Sequence, residues 1–255
     1  MKMRFDAALD GASFAEIDET VILLDIDEPP AEEDIDLARR AMHPGTRITS
    51  RIRRKLSVRL RFVVREYDIA RRAWIMDRIT AWAAKGGWLT INSRPGQRLR
   101  VVPERLPAMG SSLKWTAEIE LTLTAYERPY WEQIQPMRVT ITGEGTITPD
   151  GTVPTSYVEC EAVNNGTGSL TTITMRCADT VIRMDGLDVA PGETVAVRYT
   201  DADVLTITAA GVSALANRTA DSSDDLVAAS MTENTIKVEA DQPVSATFAA
   251  RGRWL

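Results

Sequence analysis

The sequence has few of the residues from which catalytic and metal sites are usually built. Its 255 residues include two cysteines, Cys160 and Cys177, and one histidine, His43. Two cysteines cannot form a disulfide framework or a four-ligand zinc site, and one histidine cannot form a two-histidine metal site. The nucleophile elbow, the phosphate-binding loop and the dinucleotide fingerprint are missing as well. We therefore expect a protein that is not an enzyme and that uses no metal or cofactor.

Long apolar runs are also missing. The longest one, 21–24, is far shorter than the roughly 20 residues that cross a bilayer. The first ten residues lack the apolar core of a signal peptide. Together with 44% apolar and 26% charged residues, this predicts a globular protein that is made in a cytosol and has no membrane partner. Both cysteines fall in strand-like segments, where we expect them to be buried and reduced.

Charge is unevenly distributed along the chain. The net charge of -6 argues against general nucleic-acid binding. Residues 6–36 are acidic, residues 39–78 are basic, and residues 144–241 are acidic again. Like charges concentrated in this way repel one another unless opposite charges face them, within the fold or on a neighbouring subunit. The arginine-rich segment could suit phosphates, but the acidic blocks supply a nearer partner, so we expect no specific nucleic-acid binding.

The first half of the chain reads as strand, helix and strand. Residues 55–65 alternate between apolar and mostly basic residues, which predicts a half-buried strand. Residues 68–85 change to helical spacing, with Asp68 as N-cap, an inner face that includes Ile69 and Met76, and Gly86-Gly87 as terminator. Strands follow at 88–91, 98–103 and 115–125. Glu118 and Glu120 on the last strand are candidate cross-strand partners of Arg59 and Arg61.

The second half consists of short alternating runs rich in Thr, Val, Gly and Ala. Turn signals separate them, among them Asn164-Asn-Gly166 and Asp185-Gly186, which we expect to form tight turns. Strands at 8–12-residue spacing predict an antiparallel β-sandwich. The predicted fold is thus mainly β, with one helix in the N-terminal domain (α+β). We place one β-rich domain at 1–135 and a sandwich of galectin-like or jelly-roll type at 136–255.

One family has this order of elements. The helix containing Trp74-Ile-Met-Asp-Arg-Ile-Thr80 is followed by Trp88-Leu-Thr-Ile91, a Pro-Gly turn, and a long strand that closes with Ala125-Tyr-Glu-Arg-Pro-Tyr-Trp131. In this respect residues 1–135 resemble the distal tail protein of siphophages, whose long strand closes with a similar Pro-Tyr-aromatic signature. Members of that family often carry a galectin-like or jelly-roll sandwich in the second half.

The resemblance implies a structural virion protein at the tail tip, assembled in the host cytoplasm. It implies a homo-hexameric ring that binds the tail-tube protein on one face and the tail-hub protein on the other, with second domains directed toward receptor-binding proteins. In a head-to-tail ring, different faces of neighbouring subunits meet. The expected interface residues are acidic on one side and basic on the other: Asp25, Asp27 and Glu28, against Arg53, Lys55, Arg59, Arg61 and Arg65.

Two other functions remain open from the sequence. The chain could be another tail-tube or baseplate component, which a monomer or trimer in solution would favour. It could also be a carbohydrate-binding, host-recognition protein that acts through its C-terminal sandwich. That role requires exposed aromatic residues. The aromatic residues available there are Tyr157, Tyr199, Phe248 and Trp254.

Overall fold

A computed structural model describes residues 5–39, 46–107, 118–200 and 203–255. The chain divides into two compact units, Met1–Glu132 with Leu255, and Gln133–Trp254. The boundary predicted from the sequence is residue 135. No helix among the described residues is long and apolar enough to cross a membrane.

Unit 1 is mainly β, and α1 is the one α-helix in its described part. Its elements are β1 (Ala7–Leu9), β2 (Ala12–Ser13), a 3-10 turn (Phe14–Glu16), β3 (Val21–Asp27), β4 (Glu32–Arg39), β5 (Thr46–Val64), α1 (Ile69–Ala84), β6 (Gly87–Ile91), β7 (Gln97–Arg105) and β8 (Ile119–Ala125). A further strand, β9 (Trp131–Gln133), reaches the boundary between the units. The sheet has the order β2-β1-β6-β7-β8-β5-β3, and β4 pairs with β5. Residues 115–117 of the predicted last strand lie outside the described residues.

The period-two pattern of β5 produces the core of unit 1. Leu56, Val58, Leu60 and Phe62 are at most 3% exposed, whereas the arginines between them point to the other face of the sheet. Phe62 packs edge-on against Phe14 with ring centroids 5.2 Å apart. The predicted alternation is confirmed. The strand itself is 19 residues long and begins nine residues before the predicted start.

Helix α1 buries one side against this core. Asp68 caps it as predicted, accepting a hydrogen bond from the backbone N–H of Ala70 at 2.9 Å. Gly86, at φ +61°, supplies the left-handed residue that follows the last turn. The buried face consists of Arg72, Ile75, Met76, Ile79 and Ala83. The prediction for Ile69 was wrong: it is the first helical residue and is 56% exposed, because the buried stripe begins one turn later.

Unit 2 is the predicted antiparallel sandwich. Its elements are β10 (Met137–Ile141), β11 (Glu144–Ile147), β12 (Thr155–Asn164), β13 (Leu170–Cys177), β14 (Thr180–Val189), β15 (Thr194–Tyr199), β16 (Leu205–Ala209), β17 (Val212–Ser213), a 3-10 turn (Leu215–Asn217), β18 (Val227–Ala229), β19 (Asn234–Ala240), β20 (Val244–Ala250) and β21 (Arg253–Trp254). One sheet has the order β10-β20-β12-β15-β16-β17, and the other has the order β11-β19-β13-β14. Both sheets contribute to one continuous apolar core.

Two turn predictions in unit 2 were wrong. Asn164-Asn-Gly166 does not close a hairpin, because β12 and β13 belong to different sheets. The buried amide of Asn164 instead holds this crossing loop: it donates to the carbonyls of Gly168 and Val189, each at 2.9 Å. Gly186 lies inside β14, where its φ of +69° accompanies an irregularity in the pairing with β13. A glycine in a strand can mark a bulge as well as a turn, and the sequence does not separate the two.

The cysteines are buried and unpaired, as expected. Burial raises the pKa of both thiols, that of Cys177 to about 12. Their thiolate forms, which are the reactive ones, are therefore disfavoured at neutral pH.

The carboxylate of Asp18 lies beside helix α1, where its contacts can be tested by their dependence on pH. Its side chain is 7% exposed, accepts hydrogen bonds from Thr20 N and Thr20 Oγ1 at 3.0 and 2.8 Å, and lies 3.6 Å from Arg71. The backbone hydrogen bond from Thr20 is the main cause that lowers the pKa of this carboxyl below 3.8. The carboxylate therefore stabilises the fold above that pH, and the contribution is lost as the pH falls through the folded-state pKa.

We expect Asp18→Ala to destabilise unit 1 by about 1.5–3 kcal/mol at pH 7, the typical cost of losing a hydrogen bond to a charged group. The difference from the wild type should shrink below pH 4. Denaturant unfolding followed by tryptophan fluorescence measures this, since five of the six tryptophans lie within residues 1–132. A difference that is independent of pH would contradict the assigned role of the carboxylate.

Candidate subunit interface

Strands β4 and β5 extend beyond the sheet of unit 1 as a two-stranded arm. Residues 56–62 of β5 pair with β8 and residues 59–64 pair with β3, whereas residues 46–55 pair with β4. In the described residues, no third strand pairs with this last segment. Ten strand residues span roughly 33 Å, so the arm (Glu32–Arg39 paired with residues 46–55) is as long as a small domain is wide.

One face of the arm combines three exposed aliphatic side chains with the Glu33–Arg53 ion pair. Ile35 and Leu37 point to the same side of β4, and Leu37 lies directly opposite Ile48 on β5. The three side chains are 49%, 60% and 58% exposed. Ile52 is also exposed, but its register with Asp34 places it on the other face. A two-stranded ribbon with large exposed aliphatic side chains has nothing of its own to bury them against, which is typical of an interaction surface.

Ion pairs hold the two strands of the arm together. Glu33 accepts a hydrogen bond from Arg53 Nε at 3.1 Å, and Asp34 pairs with Arg54. At the base of the arm, Lys55 Nζ lies 3.5 Å from Glu32 and 2.9 Å from Glu104 of β7. These are surface pairs, each contributing about 0–1 kcal/mol, so they set the register of the strands more than they stabilise the fold.

The acidic and basic residues predicted for the interface meet within one chain. Asp25 pairs with Arg61, and Asp27 Oδ2 lies 3.7 Å from Arg59. The hydrogen bond with Asp25 is the main cause that raises the pKa of the Arg61 guanidinium. Glu120 lies opposite Arg61 as predicted, but Thr122, and not Glu118, lies opposite Arg59.

Two further interface candidates lie at the edges of this charged surface. Glu28 pairs with Arg94, and Arg65 is exposed directly after β5. Both charge blocks therefore line the solvated face and edges of the sheet. Their part in a contact between subunits stays a prediction.

The exposed aliphatic side chains of the arm were not predicted from the sequence. Residues 32–52 stand out there as charge blocks, but Ile35 and Leu37, spaced by two, alternate with acidic residues. That alternation was the available signal. A second signal was Pro29-Pro30, which marks the point where β3 ends and the arm begins.

A buried ionic network lies at the end of unit 1, around the segment Tyr126–Trp131 and Glu132. It was not predicted from the sequence. Trp131 is 1% exposed, and Glu132, the next residue, is 2% exposed. Arg98 donates to Glu132 Oε1 through Nε at 3.0 Å and Nη2 at 2.6 Å, and Arg128 donates to Oε2 at 3.2 Å. The Arg98 guanidinium also stacks on Trp88, 3.8 Å from the ring centroid. These residues bind one another, so the motif is structural.

Unit 2 offers few free aromatic faces for a sugar. Phe248 is fully buried. Tyr157 and Tyr199 are half-buried and stack on each other with centroids 4.4 Å apart, and Arg253 lies 4.6 Å from the Tyr157 ring. The Tyr199 hydroxyl accepts a hydrogen bond from Leu226 N at 2.7 Å. Over the described parts of both units, no group of three Asp, Glu, His or Cys side chains is placed to hold a metal ion.

Comparison with known proteins gives no match to a family model and none to a curated protein sequence. Solved structures do match. The crystal structure of the Dit (gp 19.1) protein of phage SPP1, described as a paradigm of the hub adsorption apparatus in phages that infect Gram-positive bacteria, superposes with a TM-score of 0.76. The match covers 98% of this chain and 99% of Dit at 11% identity. The chain has the Dit fold.

A chain of the phage p2 baseplate, in its Sr-activated conformation, matches 97% of this chain with a TM-score of 0.49 and 8% identity. The structural likeness to Dit agrees with the resemblance read from the sequence. The likeness to Dit covers 98% of this chain and therefore extends over both units.

Charge reversal tests the charged part of the predicted interface. If Arg59 and Arg61 contribute to a contact between subunits, Arg59→Glu with Arg61→Glu should weaken assembly at low salt, and less so at high salt, because screening shortens the range of the interaction. Light scattering measures the assembly. Arg59→Gln with Arg61→Gln serves as control, since it removes the in-chain pairs without adding acidic charge. Equal assembly of the wild type and both variants would contradict the assignment.

Proposed function

We propose that this chain is a structural, non-enzymatic component of a siphophage tail that forms a homo-hexameric ring at the distal tip. The observation that carries the proposal is the match to Dit over nearly the full length of both chains. The proposed ring binds the tail-tube protein on one face and the tail-hub protein on the other. Its location is the virion tail tip, after assembly in the host cytoplasm.

The arm supports self-assembly. Its apolar side chains, Ile35, Leu37 and Ile48, are exposed within one chain, and a second copy offers a surface on which to bury them. Burial of each aliphatic side chain contributes about 1.5–3 kcal/mol. A projecting element that binds a different surface of the next subunit is a heterologous contact, which closes into a ring when the rotation per subunit allows it.

The sandwich of unit 2 is proposed to face the components that contact the host, among them receptor-binding proteins. Among the residues that the structure describes, unit 1 carries more of the large exposed apolar side chains than unit 2. This distribution supports assigning ring formation to unit 1. The half-buried tyrosine pair of unit 2 gives no specific support to glycan binding.

The particle itself tests the proposal. Negative-stain electron microscopy of the purified chain should show a six-fold ring with a central opening, and native mass spectrometry should give six times the 28.1 kDa chain mass. A monomer or trimer at micromolar concentration would contradict the hexameric ring.

Substitution in the arm tests how the ring forms. Leu37→Asp should raise the concentration for half-assembly at least tenfold, because it puts a charge where an aliphatic side chain is buried. Mass photometry across a dilution series measures this. Val212→Asp is the matched control, since Val212 in unit 2 is 71% exposed and the change in charge is the same. Equal effects of the two substitutions would show that the arm face is not the contact.

A further inference from the structure

Strand pairing is interrupted at the base of the arm, the root from which it leaves the body. Strands β3 and β4 run in succession along β5, opposite residues 59–64 and 46–55 respectively. Pro29 and Pro30 lie between them. Proline has no backbone N–H, so the ladder of hydrogen bonds cannot continue through this pair. Of the two strands of the arm, β5 runs unbroken from the body, whereas β4 is connected to β3 through the proline-containing residues 28–31.

A polar cleft, and not an apolar contact, lies at this root. Its volume is about 550 Å³, and both prolines form part of its wall. The rest of the lining is hydrophilic: Glu32, Lys55, Ser57, Arg59, Glu104, Arg105, Glu120 and Thr122. On this side of the root, polar side chains of the arm and of the body therefore face one another across the cleft.

Lys55 makes contacts to both the arm and the body. Its ammonium lies 2.9 Å from Glu104 Oε1 on β7, in the body, and 3.5 Å from Glu32 Oε1 on β4, in the arm. Among the described residues of the arm, two further charge pairs, Glu33 with Arg53 and Asp34 with Arg54, join β4 to β5.

Glu104 is itself held by the body. Its Oε2 accepts a hydrogen bond at 2.7 Å from Thr124, which is fully buried and lies 3.0 Å from the Ser57 hydroxyl. The hydrogen bond from Thr124 is the main cause that lowers the pKa of Glu104, and the bond from Lys55 adds to it. The carboxylate is therefore a fixed and ionised acceptor at neutral pH, which is what a rigid anchor for Lys55 requires.

We infer that Lys55 is a positioning residue that fixes the direction of the arm by bridging Glu32 of the arm and Glu104 of the body. Its importance for assembly rests on the proposed function. Lys55 was predicted to contact a neighbouring subunit directly. In the inferred role it acts within its own chain, where it orients the face of the arm that carries Ile35, Leu37 and Ile48.

The size of the expected effects distinguishes a positioning role of Lys55 from a role in folding. A surface ion pair contributes about 0.2–1 kcal/mol, which is small beside the stability of a domain. A tilt of 10° at the root moves the far end of a 33 Å arm by roughly 6 Å, however, which is more than one strand spacing. Loss of the bridge should therefore leave the unfolding transition almost unchanged and broaden the range of arm directions. Assembly weakens because binding then has to order the arm.

A distance measurement within one subunit tests the inference directly. Spin labels at Ser50→Cys in the arm and Glu127→Cys in the body report arm direction by pulsed electron resonance, with Cys160 and Cys177 replaced by alanine and labelled chains diluted in unlabelled ones. We expect Lys55→Met to broaden the distance distribution and Lys55→Arg to retain the wild-type width. Arg54→Met, which also removes one positive charge but breaks a pair inside the arm, should leave the width unchanged.

Assembly gives the second readout. Lys55→Met should raise the concentration for half-assembly about three- to tenfold, and Glu104→Gln should act similarly. Their double variant should be no worse than either single one, since both break the same bridge. An unchanged distance distribution in Lys55→Met, or additive effects of the two substitutions, would overturn the inference even if rings form. Absence of rings in the wild type would overturn the proposed function, while the distance distribution would still decide the role of Lys55.

Discussion

Strand β5 belongs both to the sheet of unit 1 and to the arm, and the core of unit 1 depends on it. Its last nine residues lie between β8 and β3 and supply Leu56, Val58, Leu60 and Phe62 to the core. Its first ten residues leave the sheet and form half of the arm. Because the side-chain period of a strand is exactly two, a slip of one residue would turn the core residues outward. The core therefore fixes the register of the body and, through the same backbone, the position from which the arm starts.

The segregated charges of the sequence are resolved mostly by pairing within the chain. The acidic strand β3 and the acidic part of β4 lie beside the basic strand β5, so Asp25 meets Arg61 and Glu33 meets Arg53. Pairing across neighbouring strands lets a highly charged sheet face stay in water without repelling itself. It also means that phosphates would compete with in-chain carboxylates for these arginines.

Local patterns determined which elements the sequence could predict. Helix α1 has a cap, a periodic face and a glycine terminator within 20 residues, and the structure has it within one residue of the prediction at each end. The apolar alternation of β5 was equally clear. The arm was not predicted from the sequence. Among the described residues its two strands pair only with each other, and its exposed aliphatic residues do not face a core, so the usual pattern of a buried strand is absent. Gly186 was misread because a bulge and a turn require the same positive φ.

The charges of the candidate interface show how far a sequence pattern can identify partners. Opposite charges in a sequence show that partners are needed, but they do not show whether a partner lies on the same chain. The structure supplies in-chain partners for Asp25, Asp27 and Glu28, and their part in a contact between subunits stays a prediction. The buried Glu132 was invisible to pattern reasoning, since its two arginines, Arg98 and Arg128, come from separate segments.

The proline pair between β3 and β4 has an evolutionary consequence. Since hydrogen bonding stops at Pro29 and Pro30, a change of register or length in the arm is not passed to the pairing of β3 with β5. Insertions or deletions in the arm therefore leave the core intact, and the arm can diverge at its own rate. Such a chain can change the surface that it offers to a binding partner by replacing about 25 residues, those of the arm, while the rest of unit 1 stays the same.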